Sequence, residues 1–130
     1  WAKHWPVVVN NLLHVTSAER PLVFCDNLYA YGATTNIHTT KTPIIEASTK
    51  SKAAVRAQMR ETFQKCMEES PGAIAVVGGS DSYGPPLEDS KSFLNGVVIH
   101  YMVQGKRPMA LGSCKAKHDF CYAHDFSNAL

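Results

Sequence analysis

The chain has 130 residues, 45% hydrophobic and 18% charged, a balance that fits one globular domain over residues 1–130 and excludes a disordered or fibrous polymer. Its formal charge of +2 comes from 13 basic and 11 acidic residues scattered along the sequence, so neither a nucleic-acid-binding stripe nor an acidic arm is written into it. No apolar run approaches the roughly 18 residues of a membrane span, and the opening WAKHWPVVVNN has the layout of neither a signal nor a transit peptide; a cytoplasmic location is expected.

Residues 5–17 place Val8, Val9, Leu12, Leu13 and Thr16 at helical spacing. Pro21 then introduces Leu22-Val-Phe-Cys25, a continuous apolar run bounded by Asp26-Asn27, which predicts a buried parallel strand with a site at its carboxyl end. The stretch from Gly32 to Ser48 is rich in Thr, Asn, Pro and Ser, lacks periodicity, and reads as a long functional surface loop. From Thr49 to Glu69 there is no Gly or Pro, and Ala54, Met59, Phe63, Cys66 and Met67 share one helical face. The basic residues Lys50, Lys52, Arg56 and Arg60 of that helix fit a solvated stripe.

Ser70-Pro-Gly72 ends the helix, and Ala73-Ile-Ala-Val-Val77 predicts a second strand running into the loop Gly78 to Pro86. Gly78-Gly79 is a poor phosphate loop, because Pro85 and Pro86 stand where a following helix would need its first turns. Ser92 to Gln104 is a further amphipathic helix that Gly105 can end. Met109-Ala-Leu111 and Asp119-Phe-Cys-Tyr122 are short strand candidates, and Asp125 reads as the cap of a helix start. Trp1 in place of Met, and a helix start with no helix after it, lead us to expect an internal piece of a longer protein. The cysteines Cys25, Cys66, Cys114 and Cys121 form no CxxC pair and are expected as reduced, buried thiols. His118 and His124 are too far in sequence from carboxylates to read as metal ligands, and no metal is expected. Helix and strand alternate as in an α/β protein with a parallel sheet, whose ligands sit outside the strands' carboxyl ends.

Four stretches, Leu22-Val-Phe-Cys-Asp-Asn-Leu-Tyr-Ala-Tyr-Gly32, Lys52-Ala-Ala-Val-Arg-Ala57, Ser80-Asp-Ser-Tyr-Gly-Pro85, and Gly105-Lys-Arg-Pro108 continuing to His118-Asp-Phe-Cys-Tyr-Ala-His-Asp125, together resemble the NAD-dependent epimerase/dehydratase family in its atypical branch. The match lies over the family's middle, without the glycine-rich turn that holds a pyrophosphate. The resemblance implies a partial Rossmann-like domain with the start of a small C-terminal substrate region. It also implies NAD or NADP as cofactor in the intact parent, and a secondary alcohol or nucleotide sugar as substrate. A homodimer is compatible with it; nucleic acid and membrane partners are not expected.

Family members use a Ser or Thr at a strand end and a Tyr-x-x-x-Lys pair on the next helix. The resemblance carries these positions onto Asn27, Lys52 and Arg56. Lys52 would be the acid/base, and Asn27 would polarise the substrate oxygen, although an amide cannot pass on a hydroxyl proton. Arg56 would replace the lysine that grips the cofactor ribose. Two cations one turn apart favour a neutral lysine where the site is dry. Ser80 and Ser82 fall at the expected nicotinamide edge, Asp81 where relatives face substrate, and Gly78 where they often carry Arg. For Asn27 and Asp81 an ordinary turn role stands beside the functional one. Of Tyr29 and Tyr31, two apart on a continuing strand, at most one lines the site. Without a phosphate loop the isolated chain is expected to lack turnover. The alternative is a non-catalytic nucleotide-sensing or interaction protein on the same fold.

Overall fold

A computed structural model describes residues 1–32, 37–39, 41–44, 51–85, 92–109, 112–113 and 115–130. Helix α1 (Trp5–Val15) starts with Pro6 in its first turn, where a missing N–H breaks no helical bond. It buries Val9 and packs Trp5, Leu12 and Leu13 against the core, whereas Val8, expected on the same stripe, is 42% exposed. Strand β1 (Leu22–Asn27) alternates: Phe24 and Asp26 are buried, Val23 and Cys25 exposed. A strand buried on both faces was expected. Only one face of β1 meets the core, and successive side chains point to opposite faces, so Cys25 lies outside.

After β1 the chain tightens into one 3₁₀ turn, Leu28–Tyr31, rather than continuing as a strand. The cause is local: the Asn27 side-chain Oδ1 accepts the Tyr29 N–H at 3.0 Å, which bends the backbone out of extension. Of the expected long loop, residues 37–39 and 41–44 are irregular apart from a turn closed by Thr42 N–H to the Thr39 carbonyl at 3.0 Å. Its other positions beyond Gly32 lie outside the described residues, as do Thr49 and Lys50.

Helix α2 (Lys52–Glu69) is capped by the Ser51 hydroxyl, which accepts the Ala54 N–H at 3.1 Å. It buries Ala54, Val55, Arg56, Ala57, Met59 and Phe63, a wider arc than its apolar stripe predicts. Strand β2 (Ile74–Gly79) follows and pairs with β1 in a two-stranded sheet. The core gathers Val9, Phe24, Val55, Met59, Phe63, Ala73 and Ile74, with Phe63 1% exposed and its ring 4.7 Å from that of Phe24. Burying a side chain of that size contributes about 2–3 kcal/mol.

The chain divides into two compact units, residues 1–78 and 79–130. In the second, β3 (Asp81–Tyr83) pairs parallel with β4 (Phe120–Tyr122) in the register Asp81↔Phe120, Ser82↔Cys121, Tyr83↔Tyr122. β4 occupies a predicted strand. β3 lies in what reads as loop, since three residues are too few to show a period. The helix predicted over 92–104 begins as wide π turns, Leu94–Ile99, and continues as α3 (His100–Val103). Gly105, at φ 66°, ends it with its own N–H on the Met102 carbonyl and the Lys106 N–H on Tyr101. Helix α4 (Ala123–Asn128) starts two residues before Asp125. Asp125 is therefore in its first turn and not its cap, favoured there by the helix dipole. Met109 is in no strand; Ala110, Leu111, Pro86 and Cys114 lie outside the described residues. The described elements thus mix helix with small sheets, as an α/β class requires. Among them no helix is long and apolar enough to cross a membrane.

Candidate functional site

The carboxyl end of β1 carries a charge where a hydrophobic strand would not. Asp26 points to the buried face, its side chain 2% exposed, and two arginines of α2 converge on it. Arg56 Nη1 donates to one carboxylate oxygen at 2.9 Å and Arg60 Nε to the other at 2.7 Å. Residues four apart on a helix lie on one face, so the i, i+4 spacing of the arginines lets them bracket a single acid. The Arg56 guanidinium is also held between aromatic rings, 4.3 Å from the Trp5 centroid and 5.1 Å from that of Trp1. Arg60 lies 5.7 Å from the ring centroid of Tyr31, whose other neighbour is the His38 ring, stacked at 4.6 Å.

The solvated basic stripe is thereby corrected. Lys52 is exposed, with Nζ 5.1 Å from the Trp1 ring, but Arg56 is buried and Arg60 partly so. The reason is Asp26: without a carboxylate under the helix, guanidiniums would stay in water. Two hydrogen-bonding atoms of the cluster, Arg56 Nε and Arg60 Nη2, are buried without a partner. Arg60 Nη2 occupies space that Gly78 leaves open; a Cβ at that glycine would stand 2.6 Å from it.

Beside Arg60 a cavity of about 450 Å³ opens in the first unit. Its lining combines Arg60, Thr42, Gln64 and Tyr31 with the apolar Pro43, Ile44, Met67 and Val76. Tyr31, not the exposed Tyr29, lines it.

Of the residues singled out by sequence, Asn27, Lys52 and Arg56 belong to the first unit. Asn27 follows the acid that binds Arg56, and Lys52 and Arg56 share the Trp1 ring. Ser80, Asp81 and Ser82 belong to the second unit. There Asp81 pairs with His118 Nε2 at 2.9 Å, an exposed contact, and the Ser82 carbonyl accepts from the Ser92 hydroxyl. His124 meets Asn128 at 3.0 Å. A second cavity, about 410 Å³, lies along the π turns beside Asn95, whose amide bonds both backbone groups of Gly84 at 3.2 and 3.3 Å.

Sequence reasoning put Asp26 at a strand-end site without a role of its own and read Arg60 as solvated. Their signal was an acid ending an apolar strand, followed by arginines four apart on the next helix. The Cys25 thiol, next to Asp26, has its pKa raised by partial desolvation and by that carboxylate, against the opposing pull of Arg56. Among the described residues no three His, Cys, Asp or Glu side chains group as a metal site. Comparison with known families, curated proteins and solved structures returned no match.

Proposed function

We propose that the chain is part of an NAD(P)-dependent oxidoreductase or epimerase acting on a secondary alcohol or nucleotide sugar, with a partial Rossmann-like fold, and that its first unit supplies the acid/base edge. The supporting observation is the Asp26–Arg56 bond, which fastens the strand end that bears Asn27 to the helix start that bears Lys52. Lys52 is exposed there, as a group that must meet a substrate hydroxyl has to be. In this reading Lys52, as the neutral amine, takes the hydroxyl proton and becomes an ammonium while the Asn27 amide donates to the same oxygen. The positive Arg56 behind them stabilises the charge that develops as the proton leaves.

A nicotinamide cofactor would supply hydride transfer, but the residues present do not fit its grip. Arg56, the counterpart of the ribose-holding lysine, is buried and bonded to Asp26, and the sequence holds no glycine-rich phosphate turn. Arg56 is then a positioning residue. Isolated, the chain is expected to show no turnover, because a cofactor that is not held cannot be oriented.

The test uses the longest natural chain that contains this sequence. Alcohol-dependent reduction of NAD or NADP should disappear in Lys52→Ala while the circular dichroism spectrum is unchanged. Retained turnover removes Lys52 from the role. The burial of Arg56 also favours a second reading, a non-catalytic nucleotide-sensing or interaction protein. Nucleotide binding with no reduction across a panel of secondary alcohols would select it.

A further inference from the structure

We infer that the cavity beside Arg60 is a binding site for a small apolar monocarboxylate, a site separate from the Lys52 edge. Three observations carry this. Charge comes first: two guanidiniums face one carboxylate, so the buried cluster keeps one uncompensated positive charge, and among the described residues Arg60 is the one charged residue that lines the cavity. Reach comes second. Arg60 is only partly buried and gives Asp26 its Nε, so its side chain still borders the cavity, while Nη2 is shut from solvent in the space that Gly78 leaves.

Shape is the third. Besides Arg60, Tyr31, Thr42 and Gln64, the wall is made of the apolar Pro43, Ile44, Met67 and Val76, and a volume of about 450 Å³ falls in the range of small-molecule pockets. A bare inorganic anion would leave that wall wet, and a neutral apolar molecule would leave Arg60 unmatched. A ligand with one negative end and an apolar body satisfies both. The other polar groups can assist at the charged end. Gln64 Nε2 gives one hydrogen to Glu68 at 3.2 Å and keeps a second. The Thr42 hydroxyl accepts the Thr39 N–H at 2.8 Å and meets the Thr39 hydroxyl at 3.4 Å, a contact in which either can donate.

The experiment titrates the full chain with 3-phenylpropionate, followed by amide chemical shifts, beside its neutral counterpart 3-phenylpropanol and inorganic phosphate. Saturable shifts should centre on Tyr31, Thr42, Ile44, Gln64, Met67 and Val76. The alcohol and phosphate should each bind about tenfold more weakly or not at all, as loss of a charge-assisted bond or of apolar burial requires. Arg60→Gln should weaken the carboxylate about tenfold. Ile44→Trp, a change in an irregular segment, should fill the cavity and abolish binding without altering the circular dichroism spectrum. Phosphate or alcohol binding as tightly as the carboxylate would overturn the assignment, as would a failure to saturate or binding that survives Ile44→Trp. If Arg60→Gln does not fold, the alcohol comparison and Ile44→Trp decide the matter.

Discussion

The two units of this chain hold themselves together differently. All ten buried apolar residues among those described lie in residues 1–78, seven of them in one core that includes Phe63 and Phe24, and that unit also carries the buried Asp26 with its two arginines. In residues 79–130 the one buried residue among those described is Ser92. Polar bonds do more there: Asn95 clasps Gly84, Ser92 ties to Ser82, and His118 meets Asp81. Apolar burial drives stability far more than a net hydrogen bond, which contributes about 1 kcal/mol. The first unit should therefore be the stable part and the second the one that opens first.

The largest test of that contrast is a paired truncation. Phe63→Ala should cost about 3–5 kcal/mol in urea unfolding followed by tryptophan fluorescence. Phe126→Ala, whose ring packs on Gly79 in the second unit, should cost about 1–2 kcal/mol and leave hydrogen-exchange protection in residues 1–78 intact. Equal costs would break the distinction.

Next comes the charge cluster. Asp26→Ala strands two cations with no counter-charge, and a loss of about 3–5 kcal/mol is expected by the same assay. A buried ion group is weak evidence for stability as a whole, so replacing Asp26, Arg56 and Arg60 together by apolar residues should cost less than Asp26→Ala alone. That outcome would separate the cluster's net worth from the penalty of breaking it. Gly78→Ala is a smaller probe. Its Cβ would meet Arg60 Nη2 at 2.6 Å and Leu28 at 3.3 Å, and a cost of about 1–3 kcal/mol follows if the guanidinium cannot shift. A neutral result would show Arg60 free to move.

The smallest effect is one of pH. Cys25 has its folded pKa raised, so in the folded chain it stays protonated where an unfolded thiol has begun to ionise. Its contribution to stability is complete below the ordinary thiol range and falls away as pH rises through it. Alkylation of Cys25 by iodoacetamide should accordingly reach its half-maximal rate at a higher pH than in the urea-unfolded chain. The reverse order would contradict the desolvation of the thiol.

Element types were largely legible in the sequence: α1, β1, α2, β2, the helix after Ser92, and β4 all follow from period, breakers and caps. The α/β class rests on the same alternation. What the chain alone could not reveal was which face of each element would be covered. Strand β1 is apolar on both sides, and nothing local tells Phe24 from Cys25. Likewise Arg56 and Arg60 look like solvent residues until a carboxylate 30 and 34 positions earlier is placed beneath them. Periodicity is a property of neighbours along the backbone and survives in one dimension. Burial of a charge depends on a partner far away in sequence, and only the tertiary structure supplies it.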